Sequence, residues 1–79
     1  MGPEPTARLT FEEHREVSRE LRKTHLRLLE LSNLVTDLYG SENLSSLAFR
    51  TAAEAVGRLR DQMRHQAAND WPSRLADDV

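Results

Sequence analysis

Seventy-nine residues, a net charge of −2 and 30% charged side chains describe one small domain with a balanced surface, which gives no general pull toward nucleic acid or anionic membrane. The chain has no cysteine, which excludes disulfides, thiolate metal sites, iron–sulfur clusters and thiol catalysis together. A lone core of this size supplies only about 3 to 5 kcal/mol, so a chain without covalent staples points to association with further chains.

Met1 to Leu9 contains Gly2, Pro3 and Pro5, which remove amide donors and favour extended backbone, so residues 1–9 are expected to form a disordered leader. Met1 to Thr10 has no apolar core of signal-peptide length, and no run of 18 apolar residues occurs anywhere. Neither secretion nor membrane spanning is expected, and a cytoplasmic location fits best.

The first helix has a clear start. Thr10 followed by Glu13 is a capping box, with Leu9 placed to staple the first turn and Glu12, Glu13 and Glu16 complementing the positive end of the helix dipole. No glycine or proline interrupts Phe11 to Tyr39, so a helix of about 43 Å is expected over 11–39. Gly40 then permits the positive-φ backbone that closes a helix, and Ser41, Ser45 or Ser46 is expected to cap the next.

A second helix is expected over about 45–69, ending at Asn69, Asp70 and Trp71 before Pro72, with residues 72–79 a flexible tail. The domain is thus the hairpin over 10–71. No internal repeat or low-complexity tract is present.

Both helices carry a coiled-coil-like ladder. His14, Val17, Leu21, Thr24, Leu28, Leu31, Val35 and Leu38 alternate at spacings of three and four, and Phe49, Ala52, Val56, Leu59, Met63 and Gln66 continue the pattern. A short connection makes the helices antiparallel neighbours, with residues whose numbers sum to roughly 84 at one height. The two ladders are then expected to face one another, with Leu21, Leu28, Val35, Phe49, Val56 and Met63 as the core. Ala48, Ala52 and Ala55 are expected to allow close approach, and Trp71 to close the open end near Phe11 and His14.

One seam cannot bury every leucine. Leu26, Leu29 and Leu34 scatter onto other faces of the first helix, which is apolar nearly all round between Leu26 and Leu38. The expectation is therefore an all-α fold, an antiparallel two-helix hairpin that dimerises into a four-helix bundle. Leu26, Leu29, Leu34 and Leu38 are the expected association residues, and a dissimilar protein partner would satisfy the same physics.

Two kinds of polar site are candidates. Arg15, Arg19, Arg22, Lys23 and Arg27 form a basic row that offers phosphate contacts, and a small RNA-binding bundle is the alternative reading. Glu12, Glu16 and Glu20, each three residues before a cation, instead make the row a solvent-facing lattice of weak ion pairs, and no exposed aromatics accompany it for base stacking. His14, Ser18, His25 and Ser32 border the apolar stripe, but no acid on that border orients an imidazole, and the histidines lie about 16 Å apart along the axis, too far to share a metal. No enzymatic activity, metal or cofactor is expected.

Ser18, Arg19, Glu20, Leu21, Arg22 and Lys23, followed by the leucine-rich run, resemble the phosphoacceptor helix of sensor histidine kinases, whose dimerisation domains are helical hairpins assembling as four-helix dimers. The likeness spans about six residues and implies architecture alone. The positions that would hold the reactive histidine are Arg19 and Arg22, so it implies no phosphotransfer. The reading is a non-catalytic self-association, interaction or regulatory module.

Overall fold

A computed structural model describes residues 8–73, and it is an all-α hairpin of two helices that pack against each other, α1 (Phe11–Tyr39) and α2 (Leu44–Asp70). The expectations for residues 1–7 and 74–79 lie outside the described residues.

Helix α1 begins where its cap satisfies two orphan amides at once. Thr10 Oγ1 accepts from the Glu13 N–H at 3.0 Å, and Glu13 Oε1 accepts from the Thr10 N–H at 2.8 Å. The helix ends at Gly40, whose φ of 92° and ψ of 156° suit a residue without Cβ. Its N–H donates to the Thr36 carbonyl at 2.8 Å, satisfying one of the orphan acceptors of the last turn.

The second cap corrects the sequence reading. Asn43, rather than a serine, starts α2, its Oδ1 accepting from the Ser45 N–H at 2.8 Å. Asparagine and serine cap helices about equally well. Ser46 is occupied elsewhere: its buried hydroxyl donates to the Gly40 carbonyl at 2.7 Å and ties the bend to the first turn of α2. Helix α2 runs to Asp70, where the Trp71 N–H still reaches the Ala67 carbonyl at 2.8 Å.

Antiparallel packing follows the expected register. His14 Nε2 lies 2.9 Å from Asp70 Oδ2, and an Arg60 guanidinium nitrogen lies 3.1 Å from His25 Nδ1. At the open end the Trp71 indole N–H donates to the Leu9 carbonyl at 2.9 Å, with the Arg8 guanidinium 4.1 Å from its ring centroid. Phe11 is buried at that end, with 3% exposure.

The line of contact differs from the one the heptad predicts. Among the described residues Phe11, Ala53 and Ala67 are the buried apolar ones, joined by His14 and Ser46, whereas Leu21, Leu28, Val35, Phe49, Val56 and Met63, expected as the core, are all only half-buried. Thr24 and Leu59 remain exposed. The small residues at the crossing are Ala53, Gly57 and Ala67, not the expected strip, in which Ala48 and Ala55 are exposed and Ala52 half-buried. At 100° per residue, the buried and contacting positions place His14, Ser18, His25 and Ser32 along the side of α1 turned to α2. Ser46, Ala53, Gly57, Arg60 and Ala67 make the matching line on α2. Small side chains on α2 make room for the α1 residues that face them, as Gly57 does for the His25 ring, and the bulky ladders swing aside.

Candidate interaction face

On each helix the apolar ladder is rotated roughly 70° from the line of contact, in the same angular sense. In an antiparallel pair that shared sense carries both ladders to one side of the hairpin. Val17, Leu21, Leu28, Leu31 and Val35 of α1 therefore lie beside Ala52, Phe49, Val56, Leu59 and Met63 of α2 as one continuous apolar face. Most of it is half-buried, and Leu59 is 45% exposed.

The opposite side is polar. Leu29, Asn33 and Thr36 of α1 and Arg50, Glu54, Arg58 and Asp61 of α2 line a broad open groove there, and no residue of the ladder enters it. The two sides of the hairpin thus have different chemistry because each helix is amphipathic and the crossing lies at the edge of both apolar stripes.

The four leucines expected at an association surface are all exposed: Leu26 by 51%, Leu29 by 43%, Leu34 by 54% and Leu38 by 70%. They do not share one surface. Leu38 belongs to the ladder and Leu34 flanks it, whereas Leu29 lines the polar groove and Leu26 projects away from α2. Sequence reading missed Tyr39 and Leu44, 67% and 82% exposed on either side of the bend. Their signal was available, since both are large apolar residues beside a turn too short to cover them.

The basic row is laced to its own helix. Arg15 pairs with Glu12 at 3.4 Å, Arg19 with Glu16 at 2.8 Å, Lys23 with Glu20 at 3.2 Å and Arg27 with Glu30 at 3.4 Å. Arg22 forms no ion pair among the described residues. Such solvent-facing pairs contribute roughly 0.3–0.5 kcal/mol each and are arranged to solubilise one flank of α1.

The crossing holds the most constrained polar groups. Asp70 is a carboxylate that only accepts, so His14 Nε2 carries the shared hydrogen. That bond holds the Asp70 carboxyl below the usual carboxylate range; partial burial opposes it, and the Gln66 amide, donating to Asp70 Oδ1 at 3.0 Å, adds to it. This acid comes from the facing helix, so a search of the His14 border alone could not find it, whereas the equal-height register does. Arginine has donors only, so Arg60 donates and His25 Nδ1 accepts. A small notch lined by His14, Ser18, Leu21, Arg60, Met63 and Arg64 lies between these two bonds.

Among the described residues no group of three or more histidine, cysteine, aspartate or glutamate side chains is placed to hold a metal ion, and no helix is long and apolar enough to cross a membrane. No protein-family model, curated protein or solved structure matches the chain. The likeness to the phosphoacceptor helix therefore rests on its six residues.

Proposed function

We propose that this chain is a non-catalytic self-association module, two hairpins pairing through their apolar faces into a four-helix bundle that serves as an interaction or regulatory element in the cytoplasm. One observation carries the reading: both ladders lie on the same side of the hairpin and are left half-open by it. Of the buried apolar residues among those described only Phe11 is large, contributing on the order of 2–3 kcal/mol. Ordering the backbone costs about 1–2 kcal/mol per residue, so closing the ladder under a second copy supplies burial that the lone hairpin lacks. The ion-paired basic row is better suited to keeping such a bundle dissolved than to gripping phosphate.

The test uses Leu38 and Leu59, ladder residues that are 70% and 45% exposed in the single hairpin, so replacing them removes little intramolecular packing. The wild-type chain is expected to sediment at about twice its 9.0 kDa mass, and the Leu38→Glu/Leu59→Glu variant at the single-chain mass with its helicity retained. A wild-type chain that sediments as a monomer at working concentration overturns the reading.

A further inference from the structure

We infer that the second copy docks parallel, with the two bends at the same end of the bundle and the two-fold axis along its length. The inference rests on the self-association reading and adds its geometry.

Its basis is that the apolar face is not uniform from end to end. Near the open end the α2 side of the face turns polar, at Gln66 and Asp70, which bond to each other, while His14 is buried in the crossing behind them. Toward the bend the ladder positions hold Leu31, Val35, Leu38, Ala52 and Phe49. The flank of the α1 ladder changes in step, running Glu13, Glu20, Arg27 and then Leu34. Charge therefore borders the face at the open end, and leucine borders it at the bend. The face widens toward Gly40.

Exposure has the same gradient. Leu34, Leu38, Tyr39 and Leu44 lie within two turns of the bend and are 54% to 82% exposed, while Phe11 and Ala67 at the other end are buried. Leu44 points away from α1, but at roughly 150 Å² per large side chain Leu34, Leu38 and Tyr39 leave on the order of 300 Å² open on the ladder side. That is more than a third of the roughly 800 Å² each partner gives to a standard interface, and the half-open ladder is placed to supply the rest.

A parallel copy sets wide against wide and keeps the polar positions Gln66 and Asp70 together at the open end, away from the leucines. An antiparallel copy sets Leu38 and Phe49 against Gln66 and Asp70, and Leu34 against the exposed Glu13 and Glu20. The exposed Glu13, Glu20 and Gln66 side chains would then lose water against leucine, and the widest apolar part of the face would meet polar groups in place of apolar ones. Carboxylates near the bend do not reverse the preference. Asp37 projects from the side of α1 away from the ladder, and Glu42 is exposed in the turn.

The absence of cysteine makes a direct test clean. Spin labels attached to the full chain carrying Ser41→Cys, beside the bend, or Ser73→Cys, beyond the open end, sit on exposed residues and report the distance between copies by pulsed electron resonance. Parallel docking predicts an inter-label distance below about 30 Å at both sites, whereas antiparallel docking of helices about 43 Å long predicts about 40 Å or more at both. Long distances in a species of twice the chain mass would overturn the arrangement and leave association standing. A species of 9.0 kDa would overturn both.

Discussion

His14 and Asp70 are 56 positions apart in the chain and 2.9 Å apart in the fold. Their bond crosses the open end of the hairpin, with 1% of the histidine side chain and 10% of the aspartate side chain exposed. With the Arg60 to His25 bond further along, it sets the height at which α1 meets α2.

This bond gives stability a definite acid limb. Asp70 is held below its unfolded value of about 3.9, so the unfolded chain takes up the proton first as pH falls. Its contribution is complete above that unfolded value and is lost as pH drops through the lower folded one. Melting wild type and Asp70→Asn from pH 7 to pH 2 should show the variant less stable near neutrality and the gap closing below about pH 4. A gap independent of pH would contradict the assignment.

Gly57 lies inside α2 at the crossing. A Cβ there would meet His25 Cε1 at 3.6 Å, an ordinary contact, so Gly57→Ala should stabilise by about 0.5–1 kcal/mol through helix propensity. Gly57→Leu should destabilise, because the added carbons are aimed at the His25 ring. Urea midpoints of the two variants, compared with wild type, check both signs.

Gly40 presents the opposite case. Nothing lies within 4 Å of a Cβ built on it, yet its φ of 92° is strained for any residue with a side chain. Gly40→Ala should therefore cost about 1–2 kcal/mol in a denaturation experiment despite the open space.

Trp71 closes the open end with two separable interactions. Trp71→Phe keeps a ring beneath Arg8 but removes the donor to the Leu9 carbonyl, and should cost about 1 kcal/mol. Trp71→Ala also uncovers that end and should cost roughly 2–3 kcal/mol, less than the ~3–5 of a fully buried tryptophan because the ring is half-buried. Equal losses for the two would mean that the ring itself contributes nothing.

Much of this fold is legible in the chain because its determinants are local. Thr10 and Glu13 lie one turn apart and cap their own helix; Gly40 is the one residue at the break whose backbone tolerates the turn; equal rise in both helices sets His14 level with Asp70. The limits of α1 and the pairing height follow from such features. Asn43 does not stand out in the chain because nearby serines have the same capping chemistry, and only the folded bend commits Ser46 to Gly40.

What the sequence determined by itself is the existence of two amphipathic helices, the position of the bend and an apolar stripe on each. What the tertiary structure decided is how far each helix turns about its own axis. Periodicity locates a stripe without saying whether it points at its neighbour, and rotation about the axis changes no local hydrogen bond. Here Ala53, Gly57 and Ala67 favour a close crossing at the edge of both stripes, secured by His14 with Asp70 and His25 with Arg60. That rotation turns the ladders from an internal seam into one outward-facing surface.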